Sequence, residues 1–332
     1  MKDNEDNFNE SDNYIYGLTS CIVAIGENTK VNIENVIIYI DSPFSNAIVA
    51  LNGAKIYLKN TTIITTKKYS KGITSLNKGF VDISQDSNIT TIGDYSPCLE
   101  INKKEGRIDT QHVFLFTKGK ESPLMNNFGD GEMEIVLTKG VAENSQILII
   151  GGTNYVSIFD CEFSCNGNII NNNNLNDGGI VLFNNDESNN AIAILSIYFS
   201  SLAINNKNTN ISLFSCYNIE AEINLVKTNT KIANIFMKAD KTENSTIETK
   251  IKLSVEEIGI EGKIIAKNNT EIILLGDKDL FNIETEGNVQ IGKDLLSGIF
   301  KKKDYEPKLN YLFILSSLII LIILIILIKL MI

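Results

Sequence analysis

Short apolar runs recur along the chain at nearly constant intervals. Six of them begin 26, 25, 26, 26 and 23 residues apart. Their first residues are Cys21, Ala47, Gly72, Cys98, Leu124 and Ile147. Regular spacing of this kind indicates a repeat architecture in which each unit packs mainly against its neighbours.

A second and a third run follow within the repeats. The second has two apolar residues separated by one: Val31 and Ile33, Ile56 and Leu58, Val81 and Ile83, Met133 and Ile135, Val156 and Ile158, with a weaker Ile108 and Thr110 in the fourth repeat. The third begins at Val36, Thr62, Asn88 and Val113. Because alternation with a period of two is typical of strands, each repeat of about 25 residues predicts three short strands.

Three such strands are the content of one coil of a parallel β-helix. The connections are too short for crossover helices, and matched two-residue hairpin turns are lacking, which argues against a doubly wound sheet and an antiparallel sandwich. We therefore predict an all-β, right-handed parallel β-helix over residues 15–295, with about ten coils. An Asn-rich segment from Asn168 to Gly179 is predicted to be a loop. The aligned residues should form one stacked column, which either lines the core or lies one residue away from that lining: Ile22, Ile48, Ile73, Leu99, Met125 and Leu148.

The two ends of the chain differ from the repeats. Tyr311 to Ile328 contains eighteen residues without a charge, and the stretch from Leu309 to Ile332 would measure about 36 Å as a helix, enough for a hydrocarbon core of about 30 Å. We predict a linker at 296–310, a transmembrane helix at 311–330 and a disordered acidic N-terminus at 1–14. The β-helix faces the cell exterior if the N-terminus is incomplete, and is cytosolic and tail-anchored if it is complete.

The region from Tyr16 to about Gly276 resembles bacterial right-handed parallel β-helix repeat proteins of the pectate-lyase-like superfamily. The resemblance lies in GITSLNKGFVDIS from Gly72, FDCEFSCNGN from Phe159 and NTNISLFSCYNIE from Asn208. Most of these proteins are uncharacterised secreted or surface proteins. The resemblance implies a solenoid, and it raises polysaccharide lyase or glycoside hydrolase activity as an alternative, since such enzymes share this fold.

The repeat alignment gives one candidate site. The position between the two apolar residues of the second strand is occupied in successive repeats by Asn32, Tyr57, Asp82, Asp109, Glu134 and Ser157. Asp82, Asp109 and Glu134 should therefore stack about 5 Å apart, with Arg107 on the same face. Such a group either binds Ca²⁺ and performs acid–base chemistry, or is a solvated ladder partly neutralised by Arg107. We favour the ladder, with neither a cofactor nor catalytic residues.

Other residues add little chemistry. His112 has no evident partner, and Tyr57, Phe80 and Tyr155 are the aromatic residues on the candidate face of a chain without Trp. Five cysteines, Cys21, Cys98, Cys161, Cys165 and Cys216, fit neither a disulfide framework nor a zinc site and are predicted to be buried small hydrophobes. With 30 basic and 40 acidic residues, the net charge of −10 disfavours nucleic acid as a partner.

Together these features predict a non-catalytic, membrane-anchored β-helix stalk. It would be a surface or adhesin-like interaction protein, in which a regular array of polar side chains suits weak multivalent contact with polysaccharide or surface proteins. Membrane lipid would be its partner through the C-terminal helix. The alternative is a membrane-tethered polysaccharide lyase or glycoside hydrolase using Asp82, Asp109, Glu134 and Arg107.

Overall fold

The computed structural model describes residues 19–166, 178–184, 191–205, 210–232, 234–242, 245–256, 262–276 and 281–293. Within these ranges the chain forms thirty strands, arranged in successive coils. Among the described residues, no helix has the length and apolar character needed to cross a bilayer. The predicted N-terminal segment 1–14, linker 296–310 and transmembrane helix 311–330 lie outside the described residues.

The strands follow the repeat. The first four coils contain β1 Ile22–Ile25, β2 Lys30–Glu34, β3 Ile37–Ile40, β4 Ile48–Leu51, β5 Lys55–Lys59, β6 Thr62–Thr65, β7 Ile73–Leu76, β8 Phe80–Ser84, β9 Ser87–Thr91, β10 Leu99–Asn102, β11 Arg107–Gln111 and β12 Val113–Thr117. The next four contain β13 Met125–Asn127, β14 Glu132–Val136, β15 Lys139–Ala142, β16 Leu148–Gly151, β17 Asn154–Phe159, β18 Glu162–Cys165, β19 Gly178–Phe183, β20 Ile192–Tyr198, β21 Ser201–Ile204, β22 Ser212–Tyr217, β23 Glu220–Val226 and β24 Asn229–Lys231. The last are β25 Ile235–Asp240, β26 Thr249–Glu256, β27 Gly262–Lys267, β28 Thr270–Gly276, β29 Phe281–Glu286 and β30 Val289–Lys293.

These strands form three sheets, two of which run the whole length of the described stack. In the described part of the chain, sheet A (β1 to β29) takes the first strand of each coil and sheet B (β2 to β30) the second, with eleven strands each, whereas sheet C (β3 to β24) has eight. Neighbouring strands within each sheet are parallel. The fold is therefore a parallel β-solenoid, with eight three-strand coils followed by three two-strand coils. It is consistent with the predicted right-handed β-helix, and the described residues form eight complete coils and three partial ones, against about ten predicted.

The predicted column is confirmed, and of the two positions left open it takes the one that lines the lumen. In sheet A, Ile22 pairs with Ile48, Ile48 with Ile73, Ile73 with Leu99, Leu99 with Met125 and Met125 with Leu148. From Ile48 onward these side chains are fully buried and belong to one continuous hydrophobic core. Stacking like on like in this way lets every coil remove its apolar side chains from water against the coil above and below.

Corner residues satisfy the backbone where the strands end. Ser70 N donates to Ser96 Oγ, and Ser96 N to Ser122 Oγ, each at 2.9 Å, so buried hydroxyls form a ladder along one corner. At another corner, Asn60 adopts a left-handed φ of 44° and its Nδ2 donates to Asn35 Oδ1 at 2.7 Å. Asn tolerates this backbone region better than most residues, which explains its frequency at the corners.

Sheet A is also buried on the face that points away from the lumen. Val49, Leu51 and Leu76 form a hydrophobic cluster separate from the lumen core, with exposures of 0%, 7% and 0%. On the same face Lys71 Nζ forms an ion pair with Glu100 Oε1, and the two residues are only 1% and 4% exposed. Alternation of apolar and polar residues along the strands does not predict that this outer face is buried.

Two smaller predictions are wrong. Gly178 and Gly179, assigned to the Asn-rich loop, begin β19, and residues 168–177 of that loop lie outside the described residues. A Cβ on Gly179 would lie 3.3 Å from Cys165 Sγ, so a larger residue there would require its neighbours to shift by a few tenths of an ångström. Of the five cysteines, Cys98, Cys161, Cys165 and Cys216 are buried as predicted, but Cys21 is exposed.

Candidate functional site

The predicted acidic column exists on the outer face of sheet B. Asp82 on β8 pairs with Asp109 on β11, and Asp109 pairs with Glu134 on β14. The column continues to Tyr57 on one side and Ser157 on the other. Because the strands are parallel and in register, paired residues point to the same side of the sheet, so the three carboxylates lie on consecutive coils.

Arg107 gathers carboxylates from two coils. Its Nε donates to Asp109 Oδ1 at 2.8 Å and to Oδ2 at 3.0 Å. Its Nη1 lies 2.8 Å from Glu132 Oε2, and its Nη2 2.9 Å from Glu134 Oε2. The planar guanidinium presents several donors in a fixed arrangement, which suits simultaneous contact with three carboxylates. Asp109 and Glu134 therefore converge on Arg107 instead of projecting separately into water.

Glu132 was missing from the sequence-based site. It pairs directly with Arg107 in the neighbouring coil, one column away from the three predicted carboxylates. The signal was present in the repeat alignment, since Arg107 and Glu132 each precede by one residue the first apolar residue of their strand. An interpretation confined to a single column did not find it.

Asp82 stands at the margin of this cluster. Within the described residues it forms no ion pair with Arg107, although Asp82 and Asp109 are paired across the strands. Burial raises the pKa of Asp82, and the positive charges of Lys59 and Arg107 oppose that rise. The structure thus combines three of the four carboxylates through Arg107 and leaves the fourth to weaker charge interactions.

Asp109 is the most perturbed acid of the cluster. Burial raises its pKa to about 6, against the lowering effect of the Arg107 hydrogen bonds, and the charges of Glu134 and Asp82 add to the rise. Its side chain is 25% exposed, less than that of Glu132 or Glu134. A carboxyl that titrates near neutrality is a feature of acid–base sites, although structural charge networks also produce it.

Aromatic side chains flank the charged cluster. Phe80 pairs with Arg107 on one side and Tyr155 pairs with Glu132 on the other. The rings of Tyr57 and Phe80 meet edge to face with centroids 5.9 Å apart, and Lys30 Nζ lies 4.7 Å from the centre of the Tyr57 ring. All three rings are half-buried, so they cover the base of the face and leave part of their surface to solvent.

His112 donates a backbone hydrogen bond at a corner of the solenoid. It is exposed at the junction of β11 and β12, with a left-handed φ of 56°, and its backbone N donates to Val136 O at 3.3 Å. His112 is therefore a surface residue at a corner of the solenoid.

The remaining chemistry of the face follows from its geometry. In the part of the chain that the structure describes, no group of three or more His, Cys, Asp or Glu side chains is arranged to hold a metal ion. The oxygens of Asp109, Glu132 and Glu134 point toward a cation that the protein itself supplies, Arg107. The class defined by fold and site is a parallel β-solenoid with an arginine-centred carboxylate cluster on one outer face.

Comparisons with known proteins add no relative: no protein-family model, no curated protein and no solved structure matches this chain.

The raised pKa of Asp109 predicts a pH dependence. Because its pKa exceeds the ordinary value of 3.8 in the folded chain, the folded state binds a proton that the unfolded state releases. Above about pH 6 the charged carboxylate lowers the free energy of unfolding. The lost stability returns as the pH falls from about 6 toward the ordinary pKa of 3.8. When the pH is lowered from about 7.5 to about 5, the free energy of unfolding of the unsubstituted protein should rise by about 1–2 kcal/mol relative to that of Asp109→Asn. Urea unfolding of both proteins measures the difference; a constant difference contradicts the raised pKa.

Removing Arg107 should expose a latent cation site. In Arg107→Gln, Asp82, Asp109, Glu132 and Glu134 repel one another, which should cost about 1–3 kcal/mol in calcium-free buffer. Millimolar Ca²⁺ should restore much of the loss in the variant and leave the melting temperature of the unsubstituted protein unchanged.

The matched control is Lys252→Gln, which removes a positive charge elsewhere on sheet B, where Lys252 pairs only loosely with Glu222 at 3.6 Å. Its melting temperature should not respond to Ca²⁺. A rise in the melting temperature of the unsubstituted protein with Ca²⁺ would show instead that its carboxylates already bind the ion.

Proposed function

We propose that this chain is a non-catalytic β-solenoid stalk of the surface or adhesin-like kind, fixed to a membrane by a helix at residues 311–330. The observation that carries the proposal is the Arg107 cluster. Asp109 and Glu134, the residues best placed for acid–base chemistry, are bound to the chain's single arginine together with Glu132. Because the oxygens of these carboxylates already contact Arg107, a substrate would have to displace the guanidinium before it could reach them.

The regular outer faces support an interaction role. Each sheet presents side chains in columns with a spacing of about 4.8 Å, and a polymer with its own repeat would meet many equivalent positions at once. Weak contacts repeated in this way add up to useful avidity. Polysaccharides and surface proteins are the partners that we propose, along with membrane lipid at the C-terminal segment. The net charge of −10 disfavours nucleic acid.

The finer parts of the proposal are the right-handed coil and membership of the pectate-lyase-like superfamily. Parallel strands in three sheets support the right-handed coil, since parallel crossovers are nearly always right-handed. The superfamily is proposed from the resemblance of the sequence runs that begin at Gly72, Phe159 and Asn208. The apolar run from Tyr311 to Ile328 supports the membrane helix by its length and lack of charge.

The anchor is tested by deleting Leu309 to Ile332. The complete chain should sediment with membranes and be released by detergent, whereas the truncated chain should stay in the soluble fraction after high-speed centrifugation. Replacing Lys301, Lys302 and Lys303 with Gln serves as a control that leaves the apolar segment intact and should still sediment. Sedimentation of the truncated chain would place the membrane contact elsewhere.

The second candidate function is a polysaccharide lyase or glycoside hydrolase of this fold. The pKa of about 6 for Asp109 favours it, because a general acid near neutrality requires such a value. In that case Asp82, Asp109 and Glu134 would bind Ca²⁺ or share the acid–base roles, with Arg107 as the base of a lyase.

Incubation with polyuronates and millimolar Ca²⁺ separates the two functions. A stalk should release no unsaturated product and no reducing ends above the level of a blank without protein. If the unsubstituted protein forms product and Asp109→Asn does not, the enzyme hypothesis would replace the stalk hypothesis.

A further inference from the structure

Exposed apolar side chains concentrate on sheet C. Within the described residues, more of the exposed large hydrophobic side chains lie on or beside its outer face than on either other sheet. Three project from the sheet itself, since Ile37 is 76% exposed, Tyr39 61% and Phe114 40%. Val36 and Ile92 directly adjoin strands β3 and β9 and are exposed as well. Exposed apolar groups that cluster on one face mark an interaction surface.

The outward side chains of sheet C form two columns. The first column contains, in coil order, Ile37, Thr62, Asn88, Phe114, Lys139 and Glu162. The second column contains seven uncharged residues in successive coils: Tyr39, Ile64, Thr90, Phe116, Val141, Ser164 and Ala203. Lys139 and Glu162 form an ion pair at 3.0 Å, so the two charges of the first column offset each other.

A regular register keeps these columns straight. The strand pairs of sheet C follow one another without a register shift in the part of the chain that the structure describes. In sheet A, by contrast, a β-bulge lies between Ile235 and Met237 on β25. A bulge bends a strand and redirects its side chains, whereas straight columns give a surface on which a second sheet can pack face to face, about 10 Å away.

Charge favours a second copy of this chain as the partner. Two molecules that each carry a net charge of −10 repel one another unless the faces they bring together are nearly neutral. Sheet C meets this condition, whereas sheet B concentrates carboxylates around Arg107. On sheet A, outward side chains such as Val49 and Thr74 are already fully buried within the chain. Sheet C is therefore the face of the described solenoid that best suits self-association.

We propose that two copies of the chain pack through sheet C, related by a twofold axis that is parallel to the stack and lies between the two columns. A half-turn about this axis keeps each coil at its own height and exchanges the columns. Ile37 then faces the partner's Tyr39, and Phe114 faces the partner's Phe116. The interface thus joins aromatic and aliphatic side chains of the kind that is enriched in the centres of protein interfaces.

This orientation also suits the charges of the face. Lys139 faces the partner's Val141, and Glu162 faces the partner's Ser164, so these charges do not meet like charges. A reversed copy that covered the same length would instead place Ile37 against the last coil of sheet C, where β24 carries Asn229 and Lys231. Matching coils at the same height therefore keeps apolar residues on apolar residues and separates like charges.

The size of the face predicts reversible association. Eight strands about 4.8 Å apart and two columns of side chains give a face of about 34 by 15 Å, or about 500 Å² for each partner. Stable complexes bury about 800 Å² for each partner, so the dimer should dissociate at low micromolar concentrations. The proposal does not depend on a membrane segment at residues 311–330, and its test is separate from that of the anchor.

Sedimentation equilibrium of the full-length chain in density-matched detergent micelles measures the association. The unsubstituted protein should form dimers as its concentration rises. Ile37→Glu puts a carboxylate against the partner's apolar surface and should weaken the dimer at least about ten-fold. The matched control is Asn32→Glu, which adds the same charge at an exposed position on sheet B and should dimerise like the unsubstituted protein. Circular dichroism confirms that both variants are folded.

Three results of that measurement overturn the proposal: a monomer at every concentration, a dimer that is equally stable in Ile37→Glu, and an equal loss in both variants.

Cross-linking then tests the twofold axis. In a Cys21→Ser background, which removes the exposed native thiol, Asn88→Cys should give a covalent dimer with a short bismaleimide. A single substitution is enough because each copy presents the same residue at the same height, and Asn88 is exposed in the first column. Asn32→Cys in the same background is the control and should stay monomeric on denaturing gels. Failure of Asn88→Cys to cross-link, or equal cross-linking of Asn32→Cys, contradicts this packing.

Discussion

In-register hydrogen bonding between successive coils is the constraint on which the rest of this structure depends. A strand in the solenoid pairs only with strands of the coils before and after it, so no coil completes its own backbone hydrogen bonds. The same register stacks Ile48 on Ile73 in the lumen and Asp82 on Asp109 outside it. Core and surface are therefore fixed by a single geometric relation, and a change in the register of one strand would move both at once.

The periodicity of the sequence was enough to predict this relation. It identified the lumen column and the acidic column because both are repeated many times, and a repeated signal outweighs local exceptions. The periodicity could not predict features that occur only once. The bulge at Ile235 and Met237 depends on the packing of one strand pair, and the dry outer cluster of Val49, Leu51 and Leu76 occupies positions that alternation assigns to solvent. Glu132 was missed because the site was sought in the column of Asp109 and Glu134, whereas Glu132 lies in the column of Arg107.

The Arg107 cluster shows how a solenoid tolerates stacked like charges. Without Arg107, three partly buried carboxylates this close together would repel one another. Arg107 offsets only part of the cost of burial and repulsion, and the pKa of Asp109 is therefore still raised. Lys at this position would supply one compact charge in place of a planar group with several donors, and would not contact Asp109, Glu132 and Glu134 together with the same geometry. A single arginine thus cross-links two coils through side chains, in addition to the backbone bonds between β11 and β14.

Near-identical coils carry a hazard during folding, because a coil that docks on the wrong neighbour still finds a similar apolar stripe. Columns in which isoleucine, serine or asparagine recurs do little to distinguish one alignment from the next. Arg107 does distinguish them: beside β14 it meets Glu132 and Glu134, whereas beside β17, one coil further, the corresponding positions are Tyr155 and Ser157. The ion pairs of Arg107 therefore favour the correct alignment of neighbouring coils over alignments that the repeated apolar residues would also permit.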